Sequence, residues 1–86
     1  MKLEIGKIYK IKFNDKFFIG KYEGIYYEDY ACIPCLICKE ENHKRGHQFN
    51  SYYDNNDMAY ETFYIGTTCI NKCKIEESTW EEMINN

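Results

Sequence analysis

The stretch from residue 6 to residue 77 is a succession of strand-like segments separated by turn residues. Some of these segments alternate apolar and polar residues, whereas residues 30–39 are almost continuously apolar. In the first segment Tyr9, Ile11 and Phe13 alternate with Lys10 and Lys12, which is the period-two pattern of a half-buried strand. Such strands must bury their apolar sides against one another, so the pattern predicts a mainly β fold. With 86 residues the chain has room for one such domain, and we assign residues 1–86 to it.

The positions of the turn residues predict six strands, over residues 9–13, 16–27, 30–39, 48–53, 60–65 and 71–76. The second strand contains Gly20 and Gly24, and glycine inside a strand usually marks a bend or a bulge. A long strand bent at glycine can serve both sides of a small barrel.

The end of the chain predicts a short helix. Ser78 and Thr79 stand three residues before Glu81 and Glu82, which is the spacing of a helix capping box. The apolar residues of the segment then share one face of the helix: Trp80, Met83 and Ile84.

Three consecutive pieces of this pattern resemble the small barrels of the SH3-like and Sm-like kind. In those barrels the fourth strand is followed by a single 3₁₀ turn and a fifth strand, and the similar pieces here are residues 63–65, 66–70 and 72–75. The resemblance implies a five- to six-stranded SH3-like barrel, to which the short C-terminal helix is added. The RNA-binding signature of the Sm-like family has an arginine directly before the glycine of this turn, whereas here Ile65 precedes Gly66. The resemblance therefore implies the fold and not uridine binding.

Charge and composition narrow the classes of partner and compartment. The chain has 11 basic and 14 acidic residues, and Arg45 is its single arginine. Because affinity for nucleic acids depends on Lys and Arg at phosphates, direct nucleic-acid binding is not expected. The first 30 residues contain no long apolar run, so we expect no membrane segment and a cytoplasmic location. In that compartment the five cysteines are expected to stay reduced.

The sharpest local pattern is Cys35-x2-Cys38-x4-His43-x3-His47, which resembles a zinc knuckle. Two thiolates and two imidazoles can complete a tetrahedral zinc site. Further ligands are available if the strands bring the other cysteines close: Cys32, Cys69 and Cys73. The alternative is that cysteines of an apolar strand are small buried core residues. We expect this alternative, with folding independent of any metal or cofactor, because residues three apart on a strand face opposite sides.

Tyrosines and one basic cluster supply candidate binding residues. A small core cannot bury all nine tyrosines, and exposed tyrosine is typical of interfaces. Residues 40–53 also hold the single arginine and both histidines in a polar stretch that core packing does not require. The candidates are Tyr26, Tyr27, Tyr30, His43, Lys44, Arg45, His47, Tyr52 and Tyr53. A solvated hairpin tip for the basic cluster, and barrel packing for any one tyrosine, remain open as alternatives.

The sequence contains no catalytic signature, so we expect a non-catalytic binding protein and not an enzyme. Abundant Lys, Asn, Ile and Tyr with almost no Pro or Arg is typical of AT-rich bacterial or phage genomes. A small acidic chain of this kind predicts a phage or mobile-element protein that binds and inhibits a host protein, such as a nuclease of antiviral defence. Two alternatives stay open. One is a zinc-stabilised nucleic-acid or structural module, and the other is an oligomeric nucleotide-sequestering binder that uses Lys44, Arg45 and tyrosine stacking.

Overall fold

The structure is a computed structural model that describes residues 2–30, 32–38, 43–56 and 58–85. The elements in chain order are strands β1 (Ile8–Phe13), β2 (Lys16–Tyr27), β3 (Arg45–Tyr52) and β4 (Tyr60–Gly66), a 3₁₀ turn (Ile70–Lys72), strand β5 (Lys74–Glu77) and helix α1 (Trp80–Ile84). The strands form one antiparallel sheet in the order β4-β3-β2-β1-β5. The mainly β class and the short C-terminal helix are thereby confirmed.

Strand β2 pairs with β1 over its first part and with β3 over its second part. The β1–β2 turn is tight, and Asn14 adopts a φ of 56°, a left-handed conformation that asparagine tolerates. Gly24 has a φ of 103°, and the register with β3 shifts between Tyr22 and Gly24. The predicted bend at Gly24 is therefore confirmed as a β-bulge.

The sheet is open, so the predicted closed barrel is wrong. Closure would require the two edge strands, β4 and β5, to pair with each other. The outer edge of β4 instead contacts the connection between β2 and β3. The Leu36 N–H donates to the Tyr64 carbonyl oxygen at 2.8 Å, and Cys35 forms an isolated parallel bridge with Tyr64. Backbone groups that are bonded in this way are not available to β5.

The apolar run over residues 30–39 does not form the predicted strand. Its described part makes only the isolated bridge at Cys35. Pro34 lacks the N–H that a ladder needs, which explains why apolar character alone did not produce a strand here. Strand β3 begins at Arg45, before the predicted start at residue 48, and residues 40–42 of the predicted loop lie outside the described part of the chain.

Two apolar clusters pack against the sheet. The larger one combines strand residues with two cysteines: Tyr9, Ile11, Tyr22, Cys35, Phe49, Ile65 and Cys69. The smaller one joins α1 to the sheet and consists of Ile19, Tyr52 and Met83, with Ile8, Trp80 and Ile84 packed against it. The predicted apolar face of the helix is therefore confirmed.

The helix begins with the predicted cap. Thr79 is the N-cap residue, and its Oγ1 accepts a hydrogen bond from the Glu82 N–H at 3.1 Å. The Ser78 hydroxyl also donates to the Glu82 carboxylate. Within the described residues, no helix has the length and apolar character needed to span a membrane.

Candidate functional site

Three buried side chains from separate parts of the chain meet beside the end of β4. Cys35 comes from the β2–β3 connection, His43 from the residues just before β3, and Cys69 from the turn after β4. Their ligand atoms, two sulfurs and one ring nitrogen, all lie within 4.8 Å of one another. Thiolate and imidazole are ligands that select zinc among the common metals. This thiol–imidazole group is therefore a candidate metal centre.

Backbone hydrogen bonds hold the three segments in place. The Ile33 N–H donates to the His43 carbonyl oxygen at 2.8 Å, which ties the two arms of the β2–β3 connection together. The Cys69 N–H donates to the Gly66 carbonyl oxygen at 2.9 Å, which folds the turn after β4 back onto the strand end. The three side chains are thus positioned by main-chain contacts as well as by their own packing.

The Cys35 sulfur accepts several backbone hydrogen bonds. The Gly66 N–H donates to it at 3.2 Å, and the N–H groups of Ile37 and Cys38 also donate to it. Burial acts to raise the pKa of the Cys35 thiol, but these donors outweigh burial and hold that pKa below its ordinary value. The surroundings of Cys35 therefore favour the thiolate, which is the form that binds metals.

Cys69 shows the opposite tendency. Burial and the neighbouring Cys35 raise the pKa of the Cys69 thiol to about 12. Its sulfur lies 3.3 Å from Nε2 of His43, and its thiol is hydrogen-bonded to the Cys35 sulfur. Because two neighbouring buried thiolates repel each other, a cation between them would be needed for both to ionise.

Gly66 allows the imidazole to approach β4. A Cβ atom at this position would overlap the ring of His43, so a larger residue would displace the ring. On the same imidazole, Nδ1 lies 3.5 Å from Thr68 Oγ1 while Nε2 faces Cys69. A ring nitrogen held by a neighbour leaves the other nitrogen oriented toward a metal, which is the usual arrangement of a metal-binding histidine.

The structure brings together part of the predicted metal site. Cys35 and His43 are adjacent, and half-buried Cys38 packs against the same apolar cluster, although its sulfur is not one of the three grouped atoms. His47 lies elsewhere, in β3, with Nδ1 2.7 Å from the Tyr22 hydroxyl oxygen, and burial lowers its pKa. The geometry therefore replaces His47 with Cys69 in the candidate set.

The remaining cysteines lie outside the thiol–imidazole group. Cys32 is exposed, and the half-buried Cys73 donates its thiol to the Cys69 carbonyl oxygen at 3.7 Å. The sequence offered Cys69 only as one of several further ligands, because it is 26 residues from His43. The available signal was its place in a tight turn directly after a predicted strand.

Two predicted binding residues are core residues. Tyr52 is only 8% exposed, and its ring centroid lies 4.9 Å from that of Trp80. His43 is 6% exposed because it belongs to the thiol–imidazole group. Both side chains are buried in this structure, so neither one presents a surface to a partner. Tyr53 is exposed, and its hydrogen bond to Glu61 raises its pKa.

Other predicted residues are exposed at the far end of β2 and in the segment that follows it. Tyr27 and Tyr30 are 53% and 98% exposed, and Ile25, which the sequence had not singled out, is 59% exposed. Ile25 and Tyr27 lie on the same face of β2 because they are two residues apart. The guanidinium carbon of Arg45 lies 5.4 Å from the Tyr27 ring centroid. We call Ile25, Tyr27, Tyr30 and Arg45 the aromatic patch.

Tyr26 and Lys44 flank this patch. Tyr26 is on the opposite face of β2, where its ring packs against Tyr64 and its hydroxyl donates to Glu28. These contacts give Tyr26 a structural role at the sheet surface. Lys44 is exposed beside Arg45, so the predicted basic cluster is only partly at the surface.

Three acidic residues of β5 and α1, namely Glu76, Glu77 and Glu82, are paired with lysines of β1 and of the segment before it. The nitrogen–oxygen distances are 3.2 Å for Lys7–Glu77, 3.1 Å for Lys10–Glu82 and 3.5 Å for Lys12–Glu76. Opposite charges at these distances cancel much of each other's field in solution. Negative charge is therefore not concentrated on this edge, as mimicry of a nucleic acid would require.

No protein-family profile matches the chain significantly, and no curated protein or solved structure does so either.

Proposed function

We propose that this chain is a non-catalytic binding domain that contacts a protein partner through the aromatic patch. The observation that carries the proposal is the exposure of Ile25, Tyr27 and Tyr30 within one short stretch. Tyr30 buries almost no area, so its ring contributes little to the fold. Grouped apolar side chains at a surface mark interaction sites, and Tyr and Arg are enriched where interfaces gain most of their affinity.

The surroundings of the patch favour a protein over a nucleic acid. Glu28 and Asp29 lie between Tyr27 and Tyr30 in the chain, and their carboxylates would repel phosphates. Arg45, the single arginine, is already positioned over the Tyr27 ring. An apolar group with a charged rim is instead the usual composition of a protein interface.

Burial of the thiols supports a non-catalytic role. Cys69 is 0% exposed and Cys35 is 6% exposed, so a substrate would reach neither sulfur without opening of the fold. Reactive cysteines lie in partly exposed surroundings, whereas buried cysteines serve structure. The thiol–imidazole group therefore suits stabilisation of the domain that presents the aromatic patch.

Photocrosslinking in cells of the source organism tests this proposal. A photoreactive phenylalanine analogue in place of Tyr30 is expected to give one dominant protein adduct, because this side chain would lie in the interface. The same analogue in place of Tyr53, which is also exposed, is the matched control and should not give that adduct. Equal adducts from both positions, or adducts mainly with nucleic acid, would contradict the proposal.

Substitution of the patch gives a second measurement on the same partner. Tyr27→Ala combined with Tyr30→Ala should weaken binding of the identified partner by a factor of about 30, the effect of losing about 2 kcal/mol at an interface hot spot. The melting temperature should change little. An adduct between two copies of this chain would instead support the oligomeric alternative.

The narrower proposal of a host nuclease as partner is supported by the composition, which is typical of AT-rich phage genomes. The lysine–carboxylate pairs of β1 disfavour mimicry of nucleic acid, so a nuclease would be held by the aromatic patch. If the crosslinked partner is a nuclease, addition of the chain should inhibit cleavage, and the double patch variant should inhibit it less.

A further inference from the structure

We propose that Cys35, Cys38, His43 and Cys69 together bind one structural zinc ion. This inference does not depend on the proposed partner, because it concerns what holds the domain together. In this site Cys38 is the fourth ligand, in addition to the three grouped residues.

The spacing of the grouped atoms is close to that of a zinc site. Zinc lies about 2.3 Å from a thiolate sulfur and about 2.0–2.1 Å from an imidazole nitrogen, so tetrahedral ligand atoms are roughly 3.5–3.8 Å apart. Cys69 Sγ and His43 Nε2 are 3.3 Å apart, and Cys35 Sγ lies within 4.8 Å of both ligand positions. Side-chain shifts of no more than about 1 Å would therefore bring the three ligand atoms to the spacing of a zinc site.

Cys38 is the natural fourth ligand. It follows Cys35 by three residues in a turn whose Ile37 and Cys38 N–H groups donate to the Cys35 sulfur. This turn is not an extended strand, so the objection that residues three apart face opposite sides does not apply. The side chain of Cys38 packs against the cluster that contains Cys35 and Cys69, and a change of its χ1 rotamer is the movement by which its sulfur would join the site.

Neighbouring groups hold the ligand side chains in position, as expected of a metal site. Gly66 contributes twice: its N–H donates to the Cys35 sulfur, and its missing Cβ leaves room for the His43 ring. Thr68 Oγ1 lies beside Nδ1 of His43, which directs Nε2 inward. A cysteine that served only as a small apolar core residue would not need backbone donors aimed at its sulfur, nor a buried imidazole beside it.

Zinc content is the first test. The full chain, purified under reducing conditions without chelator from zinc-supplemented cells, should contain one zinc per chain by elemental analysis and native mass spectrometry. Exchange for Co²⁺ should produce the visible absorption of a tetrahedral site and the thiolate charge-transfer band expected for three sulfurs. A metal-free chain that neither takes up zinc nor gives this cobalt spectrum would overturn the proposal.

Variants test the ligand set. Cys38→Ser should weaken zinc binding on the order of 100-fold or more and reduce the thiolate band in the cobalt spectrum. Cys32→Ser, in the same connection but exposed, and His47→Gln should keep one zinc per chain. Retention of normal affinity by Cys38→Ser, or loss of zinc from either control, would overturn the assignment. Because Cys38 is only half-buried, this variant is expected to fold even if Cys69→Ser does not.

Oxidation state provides an independent outcome. If the chain isolated from cells without added oxidant carries a disulfide between Cys35 and Cys69 and no metal, the proposal is wrong. If zinc protects both thiols from an alkylating reagent until a chelator is added, the proposal is supported.

Discussion

The two ends of the β3–β4 pair are stabilised in different ways. At the end where Tyr52 pairs with Tyr60, helix α1 covers the sheet through Met83 and Trp80. At the other end, beyond Gly66, the thiol–imidazole group joins three chain segments. We call these the helix end and the thiol end. Contact area stabilises the helix end, whereas a few directed contacts between sulfur, nitrogen and backbone atoms stabilise the thiol end.

This difference predicts unequal tolerance to substitution. Each buried methylene group contributes about 0.8 kcal/mol, so each truncation at the helix end should lower the unfolding free energy by a limited amount. Metal coordination requires all ligands in the correct geometry, so a small displacement at the thiol end should remove most of its stabilisation at once.

Gly66→Ala should be the most damaging single-methyl change in the described sheet. The new Cβ would overlap the His43 ring, and we expect a loss of more than about 3 kcal/mol in unfolding free energy together with loss of zinc. The matched control is Gly20→Ala, whose Cβ would lie 2.9 Å from the Phe49 Cβ. That variant should lose about 1–3 kcal/mol by overpacking and keep its zinc. Urea unfolding and zinc content measure both quantities, and equal zinc content in the two variants would contradict the contrast.

Met83→Ala tests the helix end. Met83 is the buried residue of α1, and its truncation should cost about 2–5 kcal/mol through lost contacts and a residual cavity. Met58→Ala, at an exposed position, should change the unfolding free energy by less than about 0.5 kcal/mol. Both variants should bind zinc as the parent chain does. Loss of zinc from Met83→Ala would show that the two ends are not independent.

Thr79→Ala should have a smaller effect at the helix end. It removes the acceptor for the Glu82 N–H, and loss of an N-cap costs about 1 kcal/mol. Thr79→Ser keeps the hydroxyl and should restore most of that free energy. Thermal unfolding of the two variants and the parent measures the difference, and equal loss in both would exclude the cap as the cause.

The lowered pKa of His47 predicts a modest dependence of the unfolding free energy on pH. Burial lowers the folded-state pKa of His47, so the unfolded chain takes up a proton first as the pH falls below the ordinary imidazole pKa of about 6.5. The part of the unfolding free energy that depends on neutral His47 should therefore be fully present above that pH. It should decline as the pH falls toward the lowered pKa. His47→Gln should remove this part of the decline. The measurement is the unfolding free energy of both chains between pH 8 and pH 5. An equal decline in the parent and in the variant would contradict this role of His47.

Local patterns predicted the parts of the fold that depend on neighbours in the chain. Alternation and flanking turn residues gave β2 its observed bounds, because those signals lie inside or beside the strand. The cap at Thr79 was equally readable, since both partners of the hydrogen bond lie within one helical turn. The bend at Gly24 belongs to the same class, because glycine alone tolerates that backbone conformation easily.

Contacts between distant segments could not be predicted from local patterns of the sequence. The run over residues 30–39 has the composition of a buried strand, but its burial comes from docking beside β4 and not from a ladder of its own. The same docking keeps the sheet from closing and brings Cys35 to Cys69, which no spacing rule connects. Tyr52 and Tyr53 likewise could not be separated by composition, because only the position of α1 makes one of them a core residue.

The hydrogen bond from Leu36 to Tyr64 also bears on how accessible this edge of the sheet is to another chain. An edge strand with free N–H and C=O groups is a template onto which another chain can add a strand. The segment around Cys35 occupies part of this edge on β4, while the opposite edge, β5, carries Lys74, Glu76 and Glu77, whose charges discourage such addition. Chains in which the Cys35 segment detaches would therefore expose the unpaired backbone groups of β4 while most of the sheet remained folded. Aggregation, and not loss of secondary structure, would be the first visible sign of damage at the thiol end.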